Sequence, residues 1–170
     1  MEQHRPHVLV VEDDAMIREL IVTRLELAGY RTFTAPDGFQ ALRRLGEIHA
    51  EAMILDLNMP RLDGFEMLQR MKDAKLIQRI PTMILTGRND PTDIRTCIGL
   101  GARDFMAKPF ENKQFLARVA RLLRKPKTVA TAEPQKPRTM ARARPRSHQR
   151  RVPFFWISGA AFLQQNQMRG

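Results

Sequence analysis

The sequence predicts an α/β fold: a doubly wound, five-stranded parallel sheet with helices on both faces. Short apolar runs alternate five times with longer segments of helical period before residue 125. Parallel strands need crossover connections, and right-handed crossovers place helices on both sides of a sheet. Over residues 1–124 the charges nearly cancel, with 19 Lys+Arg against 17 Asp+Glu, as suits a folded body. No repeat of 20–50 residues accompanies this alternation, so a solenoid is not expected.

The elements follow in order. Residues 7–11, rich in Val and Leu, are the first strand. Met16, Ile17, Leu20, Ile21 and Leu25 then recur at helical spacing until Gly29, a residue suited to a left-handed stop. Asp14, just ahead, is the expected N-cap of that helix. Residues 30–35 are β-prone, and residues 38–47 return to helix with Ala41, Leu42 and Leu45. Residues 52–55 form a third strand, Asp63 and Gly64 read as a turn, and residues 65–71 form a third helix. Residues 82–85 are a fourth strand, and Asp90 followed by Pro91 reads as cap and first turn of a fourth helix ending near Gly99 or Gly101. Residues 104–106 make a short fifth strand. Phe115, Val119, Leu122 and Leu123 give the last helix an apolar face, with its end near Arg124.

Beyond residue 125 the composition changes. The 170-residue chain carries a formal charge of +11, and residues 125–170 hold 10 Lys+Arg against the single acid Glu133, together with five of the eleven prolines. The expected organisation is a folded body over residues 1–125 and a basic, disordered tail over 126–170 with no recognisable output domain. Within the tail, Arg142, Arg144, Arg146, Arg150 and Arg151 precede Val152, Phe154, Phe155, Trp156 and Ile157. A solvated extension is the plain reading; contact with nucleic acid or with an anionic membrane surface is the functional one. The apolar residues near 152–163 are broken by Pro153, Ser158 and Gly159 and fall short of the roughly 20 a bilayer needs, so no transmembrane segment is expected. The first residues lack the basic start and apolar stretch of a signal peptide, and Cys97 has no second cysteine to pair with; a reducing, cytoplasmic setting is expected. Cys97 reads as a packed thiol, and His4, His7, His49 and His148 form no ligand set. There is no phosphate-binding glycine loop after the first strand, which argues against a nucleotide-binding enzyme.

In an open parallel sheet, ligands bind beyond the carboxyl ends of the strands. The first strand runs into Glu12 and Asp13, the third into Asp56, the fourth into Thr86, and the fifth is followed by Lys108 and Pro109. Like charges about 4 Å apart cost roughly 4 kcal/mol at an effective dielectric near 20, so three acids on one rim need protons or a cation. A hard oxygen site with few protein ligands suits Mg²⁺, and a lysine and a hydroxyl facing it suit a phosphoryl group.

These segments, VLVVEDD at residues 8–14, ILDLNMP at 54–60 with Asp63 and Gly64, MILTG at 83–87 and KPF at 108–110, resemble the receiver domain of two-component response regulators in order and spacing. The resemblance covers residues 7–124 and implies a flavodoxin-like sheet of strand order 2-1-3-4-5. It implies that Asp56 is the phosphoacceptor, attacking the phosphohistidine of a sensor histidine kinase or phosphotransfer protein. Asp13 would bind Mg²⁺ directly, Glu12 through water, and Asn58 through its backbone carbonyl. Lys108 would hold the phosphoryl group, Thr86 would swing onto it, and Phe105 would turn into the space vacated. The bond to Pro109 would be cis. The face of the fourth helix, fifth strand and fifth helix would then bind a downstream protein. The competing reading of the same acids is a Mg²⁺-dependent phosphohydrolase with Asp56 as transient nucleophile, but such an enzyme would carry a second acid where this chain has Asn58.

Overall fold

The computed structural model describes residues 4–88 and 90–124, all within the unit Met1–Lys127. The expectations for the basic tail fall outside the described residues. Ten elements alternate without exception: β1 (His7–Val11), α1 (Ala15–Leu27), β2 (Arg31–Ala35), α2 (Gly38–Glu47), β3 (Ala52–Leu55), α3 (Gly64–Asp73), β4 (Thr82–Thr86), α4 (Pro91–Leu100), β5 (Asp104–Ala107) and α5 (Asn112–Leu122). The strands form one parallel sheet in the order β2-β1-β3-β4-β5.

Alternation along each strand divides the core between the two faces of the sheet. Leu9, Val11, Met53, Leu55 and Ile84 point to one side, where Ala41 of α2, Met67, Leu68 and Met71 of α3 and Cys97 of α4 cover them. Val8, Val10, Ile54, Met83 and Leu85 point to the other, against Ile21 and Leu25 of α1 and Phe115, Val119 and Leu122 of α5. Being buried on both sides, β1, β3 and β4 read in sequence as unbroken apolar runs.

Four helices begin on an aspartate whose side chain accepts backbone N–H groups: Asp14, Asp37, Asp63 and Asp90. Asp63 and Gly64 are thus the cap and first residue of α3, where the sequence suggested only a turn. Gly101, at φ 111°, ends α4 in the left-handed region, as its position suggested. Tyr30 stays out of β2 because its N–H bonds to the Leu25 carbonyl at 3.0 Å and closes α1.

The helical spacing of Met16, Ile17, Leu20, Ile21 and Leu25 is realised in α1, yet Met16 and Leu20 are 82% and 46% exposed. The helix meets the sheet through Ile21 and Leu25, and residues one position before Ile17 and Ile21 rotate off that stripe. Cys97 is a packed thiol as expected, with its pKa pushed up to about 11 by burial and by the nearby Asp93 charge. No helix among the described residues is long and apolar enough to cross a membrane.

Candidate functional site

Parallel register brings the chemistry to one rim. The Asp56 N–H bonds to the Val11 carbonyl at 3.0 Å, the Glu12 N–H to the Ala35 carbonyl at 3.1 Å, and the Lys108 N–H to the Thr86 carbonyl at 2.8 Å. Each of these residues is therefore fixed by the end of a neighbouring strand before its side chain makes any contact. The Lys108–Pro109 peptide is cis.

The side chains then converge. Lys108 Nζ donates to Glu12 Oε2 at 2.5 Å and to Asp56 Oδ2 at 2.7 Å. The other oxygen of Asp56 accepts the N–H groups of Leu57 at 2.6 Å and Asn58 at 3.2 Å. Glu12 and Asp56 are 2% and 5% exposed, whereas Asp13 is open to solvent. Burial raises the Glu12 pKa above the usual carboxylate value, and the Asp56 charge adds to this; the Lys108 contact offsets only part of it. Burial alone would lower the Lys108 pKa, but its hydrogen bonds to Asp56 and Glu12 prevail and raise it, so the ammonium stays charged. Arg18, on α1, donates through Nη1 to the Glu12 carbonyl at 2.6 Å and the Asp13 carbonyl at 3.1 Å, pinning the loop that carries both acids.

Glu12, Asp13 and Asp56 each offer a carboxylate oxygen within 4.8 Å of the others, the one such cluster among the described residues. Three carboxylates against the Lys108 ammonium leave a formal charge of two negative. Hard oxygen donors with that residual charge fit a divalent cation, so the cluster is able to coordinate one.

The remaining expected residues lie around this centre. Thr86 is fully buried at the end of β4, and its hydroxyl accepts the Arg88 N–H at 3.3 Å. Phe105 is half-buried on β5 and packs on the side of the sheet covered by α2, α3 and α4. Asn58 is exposed, and its side-chain oxygen faces Arg88 Nη1 at 3.5 Å.

Residues not singled out in the sequence support the loop after Asp56. Asp37, only 1% exposed, caps α2 through the Gln40 N–H and also receives the Arg61 guanidinium from the β3–α3 loop. Burial would raise the Asp37 pKa, but the Gln40 N–H, the Arg61 charge and the Gln40 amide prevail and hold it below the ordinary carboxylate value. A depressed folded-state pKa contributes stability that is complete above the unfolded value of about 4 and is lost as pH falls through the folded pKa. Asp37→Asn, which keeps a cap but loses the ion pair, is expected to cost about 1–2 kcal/mol at pH 7, the Arg61 side chain being largely solvated. The gap from wild type should narrow as pH falls below about 4, where Asp37 of the unfolded chain takes up a proton, and close as pH passes the lower folded-state pKa. Urea unfolding from pH 7 to pH 3 checks this; a gap constant with pH would refute it.

The fold and rim define a doubly wound α/β domain whose chemistry is gathered at the carboxyl ends of β1, β3, β4 and β5. Residues 8–120 match the response regulator receiver domain, and the chain belongs to that family. Domains of this family are signalling switches. Among relatives, the probable transcriptional regulator ycf27 of Cyanophora paradoxa is 38% identical over 125 residues, covering 74% of this chain and 51% of that protein. The chain spans about half the length of the curated relatives it matches. Among solved structures, the chemotaxis response regulator CheY4 of Vibrio cholerae matches with a TM-score of 0.67 at 30% identity, over 71% of this chain and 100% of that one. The receiver domain of sensor histidine kinase PA1611 from Pseudomonas aeruginosa, solved with a magnesium ion in its active-site cleft, matches with a TM-score of 0.65 at 28% identity, over 71% and 98% of the respective chains.

Proposed function

We propose that the chain is a phosphorylation-controlled switch that accepts a phosphoryl group on Asp56 from a sensor histidine kinase or phosphotransfer protein. The observation that carries this reading is the Asp56 carboxylate itself: buried at a strand end, bonded to Lys108 Nζ and grouped with Glu12 and Asp13. An Asp56 carboxylate oxygen attacks the phosphorus of a phosphohistidine. A P–O bond forms, the P–N bond breaks, and the electron pair returns to the imidazole nitrogen. Lys108, held charged by its two carboxylates, stays with the phosphoryl oxygens. The N–H groups of Leu57 and Asn58 keep the acceptor oriented during the transfer.

Asp13, Asp56, the Asn58 backbone carbonyl and, through water, Glu12 would hold Mg²⁺. Bound there, the ion supplies neutralisation of the acids and of the incoming phosphoryl charge. Thr86 follows the phosphoryl group, Phe105 follows Thr86, and the α4–β5–α5 face changes its affinity for a downstream protein. The relatives' names as transcriptional regulators support a signalling output of that kind.

Incubation with acetyl phosphate tests the reading. With Mg²⁺ the chain should gain one phosphoryl group, detected by intact mass. With a chelator in excess the gain should fall to background, because three acids then face an anionic donor with only Lys108 to offset them. Labelling indifferent to chelation would refute the role of the cation. Sustained release of many phosphates per chain would favour a hydrolase over a switch.

A further inference from the structure

Arg88 lies two residues after Thr86 and touches both sides of the rim. Its Nη1 faces Asn58 Oδ1 at 3.5 Å, and Asn58 donates its own N–H to Asp56 Oδ1. Its Nε lies 2.8 Å from Asp93 Oδ2, in the first turn of α4. The guanidinium carbon stands 5.9 Å from the centre of the Phe65 ring on α3. Arg88 is thus one contact from the acceptor and in direct contact with α4.

The pairing with Asp93 is incomplete. Asp93 Oδ2 is removed from solvent yet accepts no hydrogen bond among the described residues, so the contact with Arg88 is one of charge without donor geometry. The Asp93 side chain is 17% exposed and that of Arg88 49%. Of the two, the arginine is the more exposed to solvent. A phosphoryl group carries more negative charge than a carboxylate and three acceptor oxygens, which match the planar guanidinium fork better than the present contact does. Lys108 is committed between Glu12 and Asp56, and Arg18 is committed to backbone carbonyls.

We propose that Arg88 is a positioning residue that carries the charge gained at Asp56 to α4 by exchanging partners, leaving Asp93 for the phosphoryl oxygens. The inference rests on the reading of Asp56 as phosphoacceptor. Once Arg88 leaves, the Asp93 carboxylate loses the cation that stands 2.8 Å from its Oδ2, and a partly shielded charge without its partner is unfavourable. The first turn of α4 relieves this by opening toward water. The route complements the one through Thr86 and Phe105, because it acts on the opposite end of the β4–α4 loop.

Amide hydrogen exchange of residues 91–100, followed by mass spectrometry on the full chain with Mg²⁺ and with or without acetyl phosphate, tests it, with phosphoryl gain measured on the same samples. In wild type, exchange in this segment should rise on phosphorylation. In Arg88→Ala it should be high beforehand and rise no further, since Asp93 has lost its cation. In Asp93→Asn, whose neutral amide needs no cation, it should stay low in both states. Arg88→Lys, which keeps the charge without the fork, should restore the low resting exchange. A phosphorylation-dependent rise of wild-type size in Arg88→Ala or Asp93→Asn would overturn the inference, as would a labelled wild type whose α4 exchange is unchanged; the phosphoacceptor reading would survive both. An Arg88→Ala chain that takes no label would also overturn it, since the residue would then act on acceptance. A wild type that takes no label would remove the phosphoacceptor reading and this inference together.

Discussion

Asp56→Asn should lose phosphoryl gain from acetyl phosphate completely while remaining folded. The amide oxygen is neutral and a far poorer nucleophile than a carboxylate. It still accepts the Leu57 and Asn58 N–H groups that fix the loop, so the local backbone has no reason to move. Lys108 loses one of its two acidic partners but keeps Glu12 at 2.5 Å. Glu12 in turn loses a like-charged neighbour that helps to raise its pKa. The electrostatic strain of the rim therefore falls, and the melting temperature should be equal to or above that of wild type. Intact mass and circular dichroism on the same preparation check both halves. A variant that still gains one phosphoryl group would move the acceptor to another residue, and a variant that unfolds would make Asp56 a structural acid.

What was legible in the sequence follows from burial and register. The strands of a parallel sheet are covered on both faces, so residues 7–11, 52–55 and 82–85 announce themselves as largely apolar runs, and the polar residue following each run falls on the rim by geometry. Glu12, Asp13, Asp56, Thr86 and Lys108 could be placed together on that ground. Helical spacing does not say which stripe of a helix the sheet covers, so it could not separate the exposed Met16 and Leu20 from the buried Ile21 and Leu25. The Arg61–Asp37 pair and the contacts of Arg88 with Asn58 were not legible at all. Their partners are 24 and 30 residues apart, and only the tertiary fold brings those loops side by side. Arginines are common on any surface, so nothing in their spacing distinguishes these two. Gly64 is intermediate: its pairing with Asp63 was visible, but the reason for a glycine there is a close approach of backbone to backbone that no local pattern encodes.

That close approach makes Gly64→Ala the substitution expected to damage fold and site together. Gly64 opens α3 directly beneath the acceptor loop, and its N–H bonds to the Leu57 carbonyl at 3.0 Å. A methyl group at this position would collide with the Asp56 carbonyl oxygen and stand 2.8 Å from Leu57 Cα. Both obstacles are main-chain atoms, so no side-chain rotation relieves the overlap; either α3 retreats from the sheet or the Asp56–Leu57 peptide is pushed toward the rim. Overpacking of this kind costs about 1–3 kcal/mol, and for a domain of this size that lowers the melting temperature by roughly 3–15 °C. The second route also moves the carboxylate away from Lys108, whose bonds to Asp56 and Glu12 leave little slack. Phosphoryl gain should therefore slow markedly even at temperatures where the variant is fully folded. Gly46→Ala is the matched control: Gly46 lies in α2, and a methyl there meets nothing within 4 Å. Reduced backbone freedom in the unfolded chain should make that variant more stable by about 0.4–1 kcal/mol, with labelling unchanged. If Gly64→Ala melted and labelled like Gly46→Ala, the contact of α3 with the acceptor loop would be looser than these distances require, and the position of Asp56 would have to be maintained from the β1 and β5 side alone.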